Sequence, residues 1–313
     1  MGAPGCRSRE AAEKGREGAG APGPGSGSSA ANPGAGEPER ADRPIRIAMA
    51  AALVSESGVG VYEEISDYLA ARMDREIEFV TGLGYQTIND MLAAGAVDVG
   101  FVCGLPYVLL HDQEPPAVDL LVAPVMKSDR YNGEPQYYSD LIVGSDSEFR
   151  SLRDLAGGTY VFNEEISNAG YNMPRYRLWQ LGLADDFFGK VLRSGSHEES
   201  IRMVAEGEAD ASFVDGLVLE YEQSIDSAMS RKVRVLESIG PAGIPPVVVS
   251  NAVPLRLREQ LQRHLLAMHE TAEGRAILER ALVARFVSVD DSNYDGIREM
   301  HATVKDLGFL AGE

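Results

Sequence analysis

Gly95-Ala96-Val97-Asp98-Val99-Gly100-Phe101 and Gly207-Glu208-Ala209-Asp210-Ala211-Ser212-Phe213 share the pattern Gly-x-x-Asp-x-x-Phe. In each, a run with helical spacing of apolar residues ends at the glycine, and a short buried strand follows. Glycine ends helices readily because it adopts the left-handed conformation without steric cost. Helix–glycine–strand junctions are common in α/β proteins, so the match gains weight from what precedes it.

What precedes it is repeated as well. Ile45-Arg46-Ile47-Ala48-Met49 reads as a strand, followed by the polar loop Ser55-Glu56-Ser57-Gly58 and a helix carrying Val61, Ile65, Leu69 and Met73. Glu76-Ile77-Glu78-Phe79-Val80 alternates as a second strand, and a helix from about Gln86 runs to Gly95. In the later half, Thr159-Tyr160-Val161-Phe162 is a strand, and the loop from Asn163 to Gly170 leads to a helix with Tyr176, Leu178, Trp179 and Leu181. Lys190-Val191-Leu192-Arg193 is the next strand. The helix after it opens on Ser196 and Glu199, the Ser-x-x-Glu capping box, and leads to the strand Ala211-Ser212-Phe213-Val214.

Two βαβαβ units predict an α/β protein of two similar lobes, each a mixed sheet flanked by helices. Gln136–Val143 and Pro245–Ser250 read as extended segments that cross between them. Lobe 1 is then 44–138 with 246–313, lobe 2 is 139–245, and the stretch from Leu255 to Glu313 is mostly helical. Two extended crossings suit a hinge, where few residues absorb a rotation while each lobe stays rigid.

Residues 1–43 are different in kind. They are rich in Gly, Ala, Pro and Ser, and apart from Met1 and Cys6 contain no apolar residue larger than Ala. Such a segment cannot bury enough surface to offset the entropy of ordering it, so a disordered tail is expected. It also lacks the apolar stretch of a secretory signal. Either the protein stays in the cytoplasm or its leader lies outside this sequence. Cys6 and Cys103 read as two free thiols rather than a disulfide.

With 44% hydrophobic and 25% charged residues, the chain as a whole has the composition of a globular protein. No apolar run reaches the roughly 18 residues of a membrane span. The net charge of −19, with no basic stripe, argues against nucleic acid as a partner. That acidity also slows any anionic ligand at long range, yet backbone N–H groups at contact distance outweigh it.

Ligands of open α/β sheets sit beyond the carboxyl ends of the strands. There lies Ser167-Asn168-Ala169-Gly170-Tyr171, small and polar at a helix start, where free N–H groups attract anions. Ser167 and Asn168 add neutral donors, or simply cap the helix. His197, in the first turn after Gly195-Ser196, faces the same crevice or points to solvent. Tyr85, after Gly82-Leu83-Gly84, closes over a ligand or packs in the core. Asp215, past the last strand of lobe 2, accepts from a protonated ligand oxygen or serves a turn. Ser55 and Ser57 belong to the corresponding loop of lobe 1. His264 and His269 lie off one helical face, so no metal or other cofactor is expected, and no dinucleotide fingerprint, P-loop or nucleophile elbow is present at these loops.

From about Ile45 to Phe309 the chain resembles the phosphate, phosphite and phosphonate substrate-binding proteins of ABC transporters, the PhnD-like group with the type II periplasmic binding protein fold. The likeness rests on Tyr85 through Phe101, on Ser167–Tyr171, on Ser194-Gly195-Ser196-His197-Glu198-Glu199-Ser200-Ile201, and on Asp290-Asp291-Ser292-Asn293-Tyr294-Asp295-Gly296-Ile297-Arg298. It implies that the helix start at Ser167 holds a phosphorus oxyanion, assisted by Tyr85 and His197. It also implies an extracytoplasmic location and a transporter permease as partner. Asn168 and Ala169 stand where the family loop carries hydroxyls. Leu217 and the Pro245-Pro246 region replace the carboxylates that hold an ammonium group, so an aminophosphonate is not expected. The expectation is therefore a monomeric, non-catalytic protein that binds phosphite, phosphate or a simple phosphonate. A cytoplasmic enzyme on the same scaffold, with Asp215 and His197 as its acid/base pair, and a ligand-sensing adaptor subunit are the alternatives.

Overall fold

A computed structural model describes residues 43–49, 58–183, 186–225 and 227–308. The expected tail, except Arg43, and the loop residues Ser55 and Ser57 lie outside the described residues. Arg43 belongs to the folded part: its guanidinium pairs with the buried Asp98 at 2.6 Å, and its carbonyl accepts from Arg75 at 3.0 Å.

Two sheets organise the chain. The first contains β1 (Ile45–Met49), β2 (Ile77–Val80), β3 (Val99–Phe101), β4 (Val118–Met126), β10 (Val247–Ser250) and β11 (Val283–Val287), in the order β11-β4-β10-β3-β1-β2. The second contains β5 (Gln136–Gly144), β6 (Thr159–Phe162), β7 (Lys190–Arg193), β8 (Ala211–Asp215) and β9 (Val233–Gly243), in the order β7-β6-β8-β5-β9. In both, the first strand of the unit pairs in parallel with the second and third: β1 with β2 and β3, β6 with β7 and β8. An antiparallel strand from elsewhere in the chain then flanks the third, β10 beside β3 and β5 beside β8. The sheets are therefore mixed, and each is the centre of one α/β lobe.

The helices are α1 (Val59–Met73), α2 (Tyr85–Ala93), α3 (Gly104–His111), α4 (Met173–Gln180), α5 (His197–Ala205), α6 (Gly216–Ser224), α7 (Leu255–Leu266), α8 (Ala272–Arg280) and α9 (Asp295–Val304). Their buried faces follow the apolar spacing: Val61, Ile65 and Leu69 on α1, Ile201 and Val204 on α5. Trp179 lies on the outer face of α4. It is 47% exposed and stacks on Tyr176, while Met173, Pro174, Arg175 and Leu178 face inward.

The Gly-x-x-Asp pattern has one structural meaning in both lobes. Gly95 and Gly207 take φ values of +66° and +76°, and each turns the chain out of a helix. The following Ala96 and Glu208 N–H groups reach back to the carbonyls of Met91 and Met203, at 2.8 Å in each case. Asp98 then accepts the Arg46 N–H at 2.9 Å, and Asp210 accepts the Thr159 N–H at 2.7 Å. Each aspartate thus satisfies the opening of the first strand in its own unit. Phe101 and Phe213 follow, buried in the two cores.

The chain crosses between sheets twice. Residues 127–135 lead from β4 to β5, and 244–246 lead from β9 to β10. The crossings run side by side: Ile244 N–H donates to the Pro135 carbonyl at 3.2 Å, and Gln136 pairs with Gly243. The expected limit at 138/139 falls inside β5, which begins two residues earlier. Arg130 anchors the first crossing to the second sheet through Asp140, at 2.5 and 2.8 Å, and through Glu220 at 3.3 Å. Its guanidinium also lies over the Tyr138 ring, 4.9 Å from the centroid.

Two local expectations are sharpened by the structure. The C-terminal stretch is mostly helical, as expected, but also contributes a strand: Val283–Val287 forms β11 and closes the edge of the first sheet against β4. Its burial, with Val283 and Phe286 inward and Ala284 and Arg285 outward, does not alternate strictly, so period-2 reading misses it. The Ser-x-x-Glu box at α5 is half formed. Ser196 Oγ accepts the Glu199 N–H at 3.0 Å, but the Glu199 carboxylate is drawn to Arg202 at 2.6 Å.

Candidate ligand-binding site

The lobes meet at the carboxyl ends of β3, β6 and β8. The internal echo continues here beyond Phe101 and Phe213, as Phe101-Val102-Cys103-Gly104-Leu105 and Phe213-Val214-Asp215-Gly216-Leu217. Cys103 and Asp215 are accordingly equivalent residues, each in extended conformation at the N-cap position of the helix that follows, α3 or α6, and Asp215 also caps it by accepting the Leu217 N–H. Both are buried and lie within electrostatic range of one another.

Between them stands the loop after β6. Ser167 caps a single π-helical turn, Asn168–Asn172, that continues into α4. The first N–H groups of a helix have no carbonyl one turn back. Here the Gly170 N–H goes to Ser167 Oγ at 3.1 Å, and the Asn168 N–H goes to Cys103 Sγ of the opposite lobe at 3.4 Å. The Asn168 to Cys103 bond joins the lobes at the head of the helix. Ser167 Oγ accepts there, so its own hydrogen is available to an incoming acceptor.

The structure places the remaining expected residues as follows. Asn168 spends its side chain inside lobe 2: Nδ2 donates to the Tyr137 hydroxyl and Oδ1 accepts from Asn172, both at 2.9 Å. The Ala169 carbonyl accepts from Ser139 Oγ at 2.7 Å, which holds the turn down on β5. Gly170 has no room for a side chain, since a Cβ would lie 1.9 Å from Asn163 Oδ1 and 3.3 Å from His197 Cε1. Tyr171 packs on Phe162 and Arg175 in lobe 2. Tyr85, half-buried at the head of α2, is brought from lobe 1 to face Cys103, Asp215 and Glu164. Close by, a Cβ on Gly84 would stand 3.3 Å from the Glu164 carboxylate.

His197 is buried rather than facing solvent. Its Nδ1 accepts the Asp215 backbone N–H at 3.2 Å, while Nε2 lies 3.2 Å from Asn163 Nδ2 and 3.5 Å from Ser167 Oγ. Burial brings its pKa down to about 3, so the imidazole is neutral. Burial also raises the Asp215 carboxyl well above the usual range; the Leu217 N–H, donated at 2.8 Å, opposes this and Asp140 adds to it. Burial pushes the Cys103 thiol up to about 11 and the Tyr85 phenol upward, the latter aided by Cys103, Asp215 and Glu164. Burial therefore favours the protonated thiol, phenol and carboxyl and keeps the imidazole neutral, beside the Ser167 hydroxyl.

Four residues of this region escape the sequence reading: Cys103, Asn163, Tyr137 and Ser139. Cys103 was within reach, because carrying the echo two residues past phenylalanine aligns it with Asp215. Tyr137 and Ser139 support the turn from β5, and nothing local to them signals that contact. No cluster of metal ligands occurs among the described residues, and no helix among them is long and apolar enough to cross a membrane.

Residues 47–294 match the family described as the periplasmic substrate-binding protein of the phosphonate ABC transporter. Among solved structures, the chain is similar to the binding-protein component of a phosphonate ABC transporter from Pseudomonas aeruginosa, with a TM-score of 0.74 and 19% identity over 84% of this chain and 87% of that one. PhnD1 from Prochlorococcus marinus, solved in complex with methylphosphonate, also gives a TM-score of 0.74, at 18% identity over 84% and 98% of the two chains. The aliphatic sulphonate binding protein SsuA from Escherichia coli is more distant, with a TM-score of 0.54 at 14% identity over 84% and 86%. The match spans most of the chain and both lobes: the protein belongs to the periplasmic substrate-binding proteins of phosphonate ABC transporters, non-catalytic proteins that carry a small ligand to a membrane permease.

Proposed function

We propose that the protein captures a small phosphorus oxyanion, namely phosphite, phosphate or a simple phosphonate, between its lobes for uptake. The observation that carries this reading is the helix head at Ser167–Gly170, which lies at the contact between lobes, with Cys103 of lobe 1 across from it and the buried Asp215 in its own lobe. The binding of methylphosphonate by the Prochlorococcus marinus protein, which shares the fold, supports the ligand class.

Ser167, the backbone of Asn168, Ala169 and Gly170, and His197 bind from lobe 2, and Tyr85 closes from lobe 1 with the loop of Ser55 and Ser57. Asn168 and Tyr171 serve through backbone and packing, since their side chains are engaged elsewhere. Each hydrogen bond to the charged oxyanion contributes about 1.5–3 kcal/mol, and release breaks no ion pair. Asp215 shares a proton with the ligand, which favours an oxyanion that carries or accepts one. Sulfate, whose oxygens are unprotonated near neutral pH, is then disfavoured. The protein acts as a monomer outside the cytoplasm, delivering its ligand to the permease.

Isothermal titration with phosphite, phosphate, methylphosphonate and sulfate is the test. Heat with at least one phosphorus oxyanion and markedly weaker binding of sulfate is expected. No heat and no thermal shift with any of the four overturns the assignment.

A further inference from the structure

Asn163, at the end of β6, is fully buried, yet its Oδ1 has no hydrogen-bond partner. Leaving a buried polar atom unpaired costs about 1–3 kcal/mol. Its Nδ2 points at His197 Nε2, 3.2 Å away. That contact is resolved by the other end of the ring. The Asp215 backbone N–H donates to His197 Nδ1 at 3.2 Å, and a backbone amide can only donate. Nδ1 is therefore unprotonated, and the neutral ring carries its hydrogen on Nε2. With Nδ2 toward Nε2, two donors would face each other beside an acceptor left empty.

We propose that the Asn163 amide stands reversed, Oδ1 accepting from His197 Nε2–H, and that Asn163 is the positioning residue that fixes the ring and tautomer of His197 beside Ser167 at the oxyanion site. Oxygen and nitrogen exchange places on rotation about the Cβ–Cγ bond with almost no change in shape. That one rotation removes the clash of facing donors and pairs the oxygen, while the amide N–H groups take over the unpartnered position. The imidazole is then clamped at both nitrogens, by the Asp215 backbone and by the Asn163 side chain. Its Nε2–H is directed at the space between Asn163 and Ser167, where Ser167 Oγ lies 3.5 Å away. The amide nitrogen takes the position over the Gly170 Cα, the head of the π-helical turn, where a Cβ does not fit. This inference rests on His197 being part of the ligand site, as proposed above.

The test uses the full chain with 15N-labelled histidine, and His197→Gln assigns the signal. In the ligand-free protein, Nδ1 is expected at an acceptor-type shift, with a proton on Nε2 slow enough in exchange to be observed. Asn163→Leu keeps the side-chain shape but removes the acceptor. It should lose the slow Nε2–H signal and weaken binding of phosphite or phosphate, whichever the wild type binds, by at least about tenfold. Asn163→Asp keeps an acceptor, so the Nε2–H signal should survive while the added charge weakens anion binding. A wild-type proton on Nδ1, or an unchanged Nε2–H signal in Asn163→Leu, overturns the proposal. The spectra need no ligand, so they decide the positioning role even where all four anions fail to bind.

Discussion

At the scale of single residues, the site is defined by buried groups whose uncharged forms burial favours. Asp215 has a folded pKa above the ordinary carboxylate value of about 3.9. Its proton is held more tightly in the fold than in the unfolded chain. Its stabilising contribution is therefore complete below about 3.9 and is lost as pH rises through the raised value. Asp215→Asn, still a competent helix cap, should flatten that part of the stability–pH curve and of the affinity–pH curve, read by urea unfolding and titration across pH 4–8. His197 works in the other direction. Its folded pKa of about 3 lies below the usual value of about 6.5, so stability falls as pH drops from 6.5 toward 3. Gly170→Ala places a Cβ against Asn163 and His197. A loss of about 1–3 kcal/mol in stability is expected, together with strongly weakened anion binding, by thermal unfolding and calorimetry.

At the scale of elements, the Gly-x-x-Asp pattern joins a helix end to the opening of a neighbouring strand. Asp98→Ala and Asp210→Ala each remove the acceptor of a strand N–H, that of Arg46 or Thr159. Each should cost about 1–3 kcal/mol, and Asp98→Ala the more because Arg43 also loses its partner. Both aspartates act at the N-terminal ends of strands, whereas the ligand site lies at the C-terminal ends. Urea midpoints should therefore drop while anion affinity holds. The helices and most strands were legible because apolar spacing and glycine stops are local signals. β11 was not, since its burial comes from pairing with β4, more than 150 residues earlier in the chain.

At the scale of the whole molecule, the two sheets are joined by the paired crossings, and the lobes touch where Asn168 N–H meets Cys103 Sγ. Ligand that draws the lobes together should shield this thiol. In a Cys6→Ser background, saturating phosphite or phosphate, whichever binds, should slow alkylation of Cys103 by at least about tenfold. An unchanged rate, measured by mass spectrometry, would count against closure over the ligand. Arg130, tied to the fully buried Asp140 and to Glu220, holds the first crossing against lobe 2. Truncating one partner of a buried pair costs about 3–5 kcal/mol. Arg130 is 28% exposed, so Arg130→Ala should fall at or below the lower end of that range.

The two-lobe plan, the repeated βαβαβ unit and the helix start at Ser167 followed from sequence alone, because each depends on contacts a few residues apart or on the intrinsic freedom of glycine. Only the tertiary structure decided which of those residues face a ligand. It committed the Asn168 side chain to Tyr137 and packed Tyr171 into lobe 2. It buried His197 between Asp215 and Asn163, and set Cys103 across from Asp215. The reason is physical: a side chain's partners and protonation depend on what burial places beside it, and here the partners come from strands and lobes far apart in the chain.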